Sequence, residues 1–391
     1  MLSFYYNPDL SAGSFRTTAL IKALTEKLPE GAHVEVVTTL PNRYRTFSSE
    51  CSELETHPSL EIRRIRLPGH CSGMVDQSKA FLYFAKEVKR HVGSRQYDLV
   101  YATSSRLMTA ALGAWIARRK KAKLYLDIRD LFVDTIKHVL PRRLLLLTRP
   151  LFSLVERWTI RRADKVNLVS RGFKSYFDSR YPSLPCSFFT NGIDEEFIAA
   201  GTRLKGSKPA HPLLTVLYAG NMGEGQGLHM IVPALAKRMR GRIIFRLIGD
   251  GGRAAALQTA LQNAGVDNVE LLSPMKRDQL IQAYQEADVL FLHLNDYEAF
   301  KKVLPSKLFE YAAMGKPIWA GVSGYAADFV KSEITNAAVF HPCDAAEAEE
   351  VFEKLSLMNT RRPEFIDKYA RTKLMQAMAD DLLSVAGVRL R

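Results

Sequence analysis

In the stretch VLPSKLFEYAAMGKPI (303–318), a Pro-Ser step opens an apolar run that Gly315 and Pro317 close, the start and stop grammar of a short helix. Ser306 is expected to cap that helix, and the free amides behind the cap, with the positive end of the helix dipole, suit a phosphate. Glu310 follows one turn later on the same face. Its carboxylate can accept hydrogen bonds from hydroxyls on whatever carries that phosphate. The plainer alternative is a surface pair between Glu310 and Lys307, and the stretch by itself leaves both readings open.

Two glycine-rich turns belong to the same half of the chain. LYAGNMGEGQG (217–227) ends one apolar run with four glycines, and LIGDGG (247–252) ends the next. Glycine after a strand permits a tight turn and close approach of a ligand to the backbone, which singles out Gly220, Gly223 and Gly249. Neither turn is a G-x-G-x-x-G fingerprint, and NPDLSAGSFR after the first apolar run lacks it too, which disfavours a nicotinamide enzyme. In the other half, LDIRDLFVD (126–134) places Asp127, Arg129 and Asp130 at the end of an apolar run. They read either as reactive groups in a cleft or as a buried Asp-Arg pair bracing a strand.

These residues need elements to position them. Short β-rich runs alternate with helical patterns throughout, the signature of parallel sheets built from βα units. Strands are expected at LSFYY, HVEVVTT, EIRRIRL, DLVYATS, KLYLDIRD and KVNLVS, then at LTVLYAG, IIFRLIG, VELLS, VLFLHL, PIWAGV and AAVFHP. Helices are expected between them, at 14–28, 77–92 and 106–121 and again at 229–239, 253–265, 278–287 and 306–314. A chain of 391 residues exceeds what one core supports. The expected fold is α/β with two Rossmann-like domains facing a central cleft, residues 1–198 and 213–362. AAGTRLKGSKPAHP supplies a linker over 199–212, and a C-terminal helix (363–391) crosses back to the first domain. Ligands of such sheets bind beyond the carboxyl ends of the strands.

Charge is uneven. Residues 1–200 hold 31 Lys and Arg against 20 Asp and Glu, whereas the remainder holds 24 against 21, so the net +14 resides mainly in the first half. KHVLPRRLLLLTRPLFSLVERWTIRRADK (137–165) interleaves that charge with Leu, Phe and Trp158, and WIARRKKAK (115–123) adds a second basic cluster. The pattern suits a helix lying on an anionic membrane, or one packed on its own sheet with a solvated basic face. No nucleic-acid motif accompanies the charge. Cys51, Cys71, Cys186 and Cys343 show neither disulfide nor zinc spacing and point to a reducing compartment. With a strand expected from residue 2, no leader is expected ahead of it, and no apolar run is long enough to span a bilayer. A cytoplasmic protein, peripheral at the inner face of the cell membrane, is expected.

The segments AGNMGEGQGL, LIGDGG, AYQEADVLFLHL and PSKLFEYAAMGKPI together resemble glycosyltransferase family 4, the retaining GT-B enzymes that use nucleotide-sugar donors. AGSFRTTALIKAL (12–24), LDIRDLF (126–132) and TNGID (190–194) resemble its branch that builds bacterial O-antigen and capsule units, which includes fucosaminyltransferases. The resemblance implies that Glu310 is the second glutamate of an E-x7-E element and accepts the ribose hydroxyls. Ser306, Lys307 and Leu308 would meet the diphosphate, the turns around Gly220, Asn221, Gly223 and Gly249 would admit the nucleotide, and Gly13 and Arg16 would form an N-terminal loop of the site. Asp130, with Arg129 and Asp127, would serve the reaction by orienting the acceptor or stabilising positive charge on the sugar. Two departures stand out. Lys302 occupies the place of the first glutamate, with Glu298 and Asp296 as nearby substitutes. Asn221 and Gln226 occupy the places of a basic pair, leaving Lys307, Arg253 and Arg16 to offset the diphosphate. The scheme needs no metal or cofactor beyond a UDP-sugar co-substrate. It implies transfer of a sugar, here an N-acetylaminosugar, to a lipid-linked acceptor at an anionic membrane surface. A UDP-sugar epimerase of the same fold and a non-catalytic nucleotide-sugar-binding subunit remain as alternatives.

Overall fold

A computed structural model describes residues 1–9, 11–41, 51–68, 74–104, 106–131, 133, 142–203 and 213–388. They divide into two units, Met1–Asn191 with Arg371–Arg391, and Gly192–Ala370. The first contains α1 (Ala12–Lys27), β1 (Val34–Thr39), β2 (Leu54–His57), β3 (Leu60–Ile65), α2 (Met74–Val92), β4 (Leu99–Thr103), α3 (Leu107–Lys120), β5 (Lys123–Ile128), α4 (Arg142–Ile160), β6 (Lys165–Leu168), α5 (Lys174–Arg180) and β7 (Cys186–Ser187). The second contains α6 (Glu195–Thr202), β8 (Leu214–Asn221), α7 (Leu228–Arg238), β9 (Ile243–Asp250), α8 (Ala254–Ala264), β10 (Val269–Leu272), α9 (Arg277–Glu286), β11 (Val289–His293), α10 (Lys307–Ala313), β12 (Ile318–Gly321), α11 (Tyr325–Glu333), β13 (Ala337–Phe340), α12 (Ala345–Glu353) and α13 (Pro363–Tyr369). The last helix, α14 (Arg371–Val385), belongs to the first unit.

In the first unit the strands run in the orders β1-β3-β2 and β4-β5-β6-β7, all parallel except the β2–β3 pair. Leu2 joins the two sets, bridging Val37 on one side and Ala102 on the other. The expected strand LSFYY is therefore a single bridge residue. Ser3 donates its hydroxyl to the Tyr5 carbonyl at 2.7 Å, which folds the chain back, and Phe4 and Tyr6 are spent on the core instead. α1 and α14 pack together, with Leu20, Leu24, Met375, Met378 and Leu382 closing over Tyr101 and Tyr125. Asp381 of α14 accepts from the hydroxyls of Tyr125 at 2.8 Å and Ser187 at 2.7 Å and pairs with Lys165, so one carboxylate ties the helix across β5, β6 and β7.

The second unit is a six-stranded parallel sheet in the order β10-β9-β8-β11-β12-β13. Because side chains alternate across a strand, each strand feeds two cores. Leu217, Leu290, Leu292, Ile318 and Ala320 pack with α10, while Val216, Tyr218, Val289, Phe291 and Trp319 pack with α7. This explains why the strands read as unbroken apolar runs.

The expected linker and first boundary need correction. Residues 204–212 lie outside the described residues, but 195–202 are helical. Ile193 and Phe197 are buried in the core of the second unit, and Ile193 bridges Ala370. Gly201 lies against Ala313, where a Cβ would stand 2.0 Å from the carbonyl oxygen. Two apolar anchors and one glycine thus outweigh the polar composition around them. The segment from Gly192 belongs with the second unit, and the return to the first comes after α13.

The register of β8 and β9 puts Gly220 opposite Gly249. Gly249 has φ +146, and a Cβ there would meet the Gly220 carbonyl oxygen at 1.8 Å. Gly249→Ala is therefore expected to lower stability by about 3 kcal/mol, read as an earlier urea unfolding midpoint; an unchanged midpoint would contradict this register.

Candidate functional site

The strand order of the second unit reverses direction between β8 and β11, and a crevice at the carboxyl ends of two such strands is where ligands of open α/β sheets bind. At this end Gly220 adopts φ +152, and the stem of Lys307 crosses directly over it. A Cβ on Gly220 would stand 2.3 Å from the Lys307 Cε and 3.1 Å from its Nζ. Glycine here is what lets a lysine from α10 reach the end of β8. Glu310 lies one turn on, its Oε2 at 4.0 Å from the Lys307 Nζ. The buried Tyr284 of α9 donates its hydroxyl to the same Oε2 at 3.2 Å. Both side chains remain partly open, with Lys307 22% and Glu310 18% exposed. Burial, and after it the charge of Glu310, pushes the Tyr284 phenol far up, so it stays a donor. Tyr311 stacks edge-on against Tyr284 and accepts from the Ala219 amide at 3.3 Å, tying α10 to β8.

The neighbouring turns are closed from within. The Gln226 side-chain oxygen accepts from Asn221 Nδ2 at 2.8 Å and from the Gly223 amide at 3.2 Å. His293, wholly buried at the end of β11, donates from Nδ1 to the Gln226 carbonyl at 2.7 Å and accepts at Nε2 from the Cys343 amide at 2.9 Å. Asn295 donates to the Glu224 carbonyl at 3.0 Å.

Several sequence expectations change here. Ser306 holds the N-cap position of α10 but makes no side-chain cap bond: it already has helical angles, because the first turn opens at Pro305, whose carbonyl accepts from the Leu308 amide at 3.2 Å. Leu308 is 0% exposed with that amide engaged, so it cannot meet a ligand. Arg253 does not supply a spare positive charge. It pairs with Glu224 at 2.5 Å, while the Tyr297 hydroxyl donates to the other oxygen of Glu224 at 2.5 Å. Glu298 is 81% exposed and paired with Lys301, and Asp296 is exposed. Sequence reading missed Tyr284 and His293; both look like core residues because their apolar bodies are, and only their polar tips reveal a second use.

In the first unit, Asp127 and Arg16 are both fully buried. Arg16 holds both carboxylate oxygens, at 2.9 and 3.1 Å, while Tyr101 donates at 3.0 Å and Asn167 at 2.7 Å. Burial would raise the Asp127 pKa, yet the Arg16 guanidinium outweighs it and holds the carboxyl below its ordinary value. Arg16 also donates to the carbonyls of Phe189 and Thr190. Asp127 and Arg16 are thus bracing residues, walled off from any ligand. The Asp-Arg brace exists, with Arg16 rather than Arg129 as the partner. Arg129 is half-buried beside Gly13 and Asp130 is exposed, so these stand where a ligand can reach. Among the described residues, Glu35, Glu61 and His91 bring metal-type ligand atoms together. Arg95 pairs with both carboxylates and Tyr97 and His91 bond Glu35, so protein groups already balance that cluster.

Residues 14–185 match the family described as glycosyl transferase 4-like domain, and residues 205–373 match glycosyl transferases group 1. Each half of the chain thus matches a glycosyltransferase family, and its fold is the GT-B fold. Over 101 residues it is 35% identical to WcaI of Escherichia coli (strain K12), provisionally named a colanic acid biosynthesis glycosyl transferase; the match covers 26% of this chain and spans only 24% of that relative's length. The fold is shared with HepE of Anabaena, solved in complex with UDP (16% identity, TM-score 0.66, 98% of this chain and 100% of that one). It is also shared with sucrose-phosphate synthase of Thermosynechococcus elongatus (15% identity, TM-score 0.64, 95% and 90%).

Burial holds the His293 imidazole down to about 4. Between that value and its unfolded value near 6.5 the unfolded chain binds more protons, so the stability His293 contributes is intact above about pH 6.5, declines as pH falls and levels off below about 4. Wild type is expected to lose about 3 kcal/mol more than His293→Asn between pH 7 and pH 4, measured by urea unfolding; equal losses would mean that His293 is not held neutral.

Proposed function

We propose that this GT-B chain is a retaining glycosyltransferase that moves a sugar, an N-acetylaminosugar, from a UDP-sugar to a lipid-linked saccharide acceptor in bacterial surface polysaccharide synthesis. The observation that carries the reading is the pairing of Glu310, held by Tyr284, with a lysine laid over Gly220 at the carboxyl end of β8. A fixed, partly exposed carboxylate suits a ribose diol. Lys307 suits the diphosphate, whose leaving oxygen gains negative charge as the bond to the sugar breaks. With Arg253 and Arg16 both paired elsewhere, Lys307 carries that task, helped by the Ser306 hydroxyl, which makes no cap bond. The glycines at 220 and 249 and the self-closed turn from Asn221 through Gly223 let the nucleotide approach the backbone.

Asp130, exposed just beyond β5, orients the acceptor or stabilises positive charge on the sugar. The acceptor oxygen bonds the anomeric carbon on the face that the phosphate leaves, which accounts for retention without a second carboxylate. The UDP complex of HepE supports the choice of nucleotide, and the name of WcaI supports surface polysaccharide as the product class.

A lipid-linked acceptor calls for a membrane surface, and the sequence stretch 137–165 is the candidate; its first residues, 137–141, lie outside the described residues. On α4, Glu156, Thr159 and Ile160 are buried, whereas Leu151 is 59% and Leu154 65% exposed, beside the exposed Arg149 and Arg157. Among the described residues no helix is long and apolar enough to cross a membrane. Attachment in this reading is peripheral, at the cytoplasmic face, with the basic first unit against anionic lipid.

Calorimetric titration tests the donor site. Wild type is expected to bind UDP better than GDP, Glu310→Ala to lose roughly 2 kcal/mol or more, and Tyr284→Phe about 1 kcal/mol. If Glu310→Ala binds UDP as wild type does, the ribose assignment fails; UDP binding without turnover on any acceptor would favour the non-catalytic alternative, and turnover of a UDP-sugar without acceptor the epimerase. Sedimentation with phosphatidylglycerol vesicles tests the surface: Leu151→Ser with Leu154→Ser is expected to leave the protein in the supernatant, and equal pelleting would remove α4 from the membrane reading.

A further inference from the structure

Side chains alternate between the two faces of β5. Tyr125 packs with Leu20 and Met378 and Asp127 bonds Arg16, so both face α1 and α14. Ile128 turns the other way and lines a pocket of about 360 Å³, counting its open mouth, among α3, α4 and α5. Leu107, Ala110, Ile160 and Phe177 supply apolar walls, each no more than 5% exposed. The polar wall consists of Glu156, Thr159 and Tyr176, all buried. Tyr176 donates its hydroxyl to Glu156 Oε1, and Thr159 donates to the Val155 carbonyl at 2.7 Å. Asp130 lines the same pocket and is exposed, which puts it at the mouth.

Protein interiors are close-packed, and an opening lined by buried side chains forfeits contact on its empty side. The lining specifies what restores that contact. A hydrocarbon chain would suit the apolar walls but would press against Glu156 and Thr159 while offering no hydrogen bond. An ammonium group would suit Glu156 but would lose its own hydration against Leu107 and Phe177. A group with a methyl at one end and an N–H at the other suits both halves. The methyl packs against Ala110, Ile128 and Phe177, and the N–H donates to Glu156, since a carboxylate accepts about four hydrogen bonds in all. Burial, and after it the charge of Glu156, pushes the Tyr176 phenol far up, so Tyr176 remains a donor and Glu156 keeps the acceptor role.

We propose that the pocket among α3, α4 and α5 binds the acetamido group of an N-acetylaminosugar in the saccharide acceptor, a sugar distinct from the one that is transferred. The proposal deepens the transferase reading and rests on it only for assigning this sugar to the acceptor; the preference for an acetamido group rests on the lining of the pocket. With that group seated, Asp130 at the mouth stands beside the ring hydroxyl next to the amide. One pocket thereby selects both the sugar and the hydroxyl that it presents.

The test is saturation-transfer NMR, with titration, of the full chain against N-acetylglucosamine, using glucose and glucosamine as controls. Wild type is expected to bind N-acetylglucosamine with the acetyl methyl receiving the most saturation. Glucose and glucosamine should bind roughly tenfold more weakly, the worth of one buried methyl and one hydrogen bond. Ala110→Leu fills the pocket and is expected to abolish the preference. Glu156→Gln keeps an acceptor oxygen without the charge and should weaken binding a few-fold, as should Thr159→Val. Circular dichroism checks each variant; should Ala110→Leu fail to fold, Glu156→Gln and Thr159→Val carry the comparison. Absence of binding, glucose or glucosamine bound as well as N-acetylglucosamine, or equal binding by wild type and every folded variant overturns the site. Displacement of N-acetylglucosamine by farnesol overturns the acetamido assignment in favour of a hydrocarbon chain. Since none of these measurements uses a nucleotide, failure here leaves the Glu310 assignment standing, and loss of UDP binding would leave this result intact.

Discussion

A carboxylate with no access to water stands at the end of β5, and much of the first unit is arranged to make it tolerable. Asp127 cannot be left alone in the interior, because removing one partner of a buried pair costs about 3–5 kcal/mol. Four elements answer it: Arg16 from α1, Tyr101 from β4, Asn167 from β6, and, through Arg16, the carbonyls of Phe189 and Thr190. The pair therefore fixes where α1 begins relative to the sheet and where the chain runs before it leaves the unit. Arg129, just beyond the strand, inherits a rigid setting from that arrangement.

The second unit solves a different problem, that of bringing backbone and cation together at a strand end. It does so by omission. Gly220 and Gly249 have no Cβ where Lys307 and a carbonyl must pass, and no β-carbon at either place would fit without movement. Tyr284, Tyr311 and His293 then spend their polar tips on α10, β8 and the 221–226 turn. Each supports the site from below while its ring belongs to a core, which gives the carboxylate of Glu310 a fixed direction without exposing a further charge.

The charge distribution gains meaning once partners are counted. Arg253 and Arg16 look alike in sequence, as cations beside glycine turns, yet each is matched by a carboxylate, one at the surface and one in the interior. Among the cations named at the two strand ends, Lys307 keeps capacity, with its nearest carboxylate 4.0 Å away, and Arg129 keeps one buried terminal nitrogen without a hydrogen-bond partner. A count of basic residues says nothing of this; only the pairing does.

The sequence by itself determined the kinds of elements and most of their places. Apolar runs bounded by glycine fixed the parallel strands, since residues buried on both faces must be continuously apolar, and helical periodicity fixed the segments between them. It also marked Glu310 and Lys307 as neighbours on one helix face and Gly220 as a turn after a strand, because these are local properties, whereas their union in one site was what the family resemblance implied. Tertiary structure alone decided which Asp-Arg pair forms, that Ser306 makes no side-chain cap bond, that Leu308 is sealed in the core, and that Ile193 and Phe197 draw their segment into the second unit. The reason is common to all four. Whether a polar or apolar group is satisfied depends on neighbours far away in the chain, and the free energy of burial is assigned by those neighbours rather than by the residue's own type.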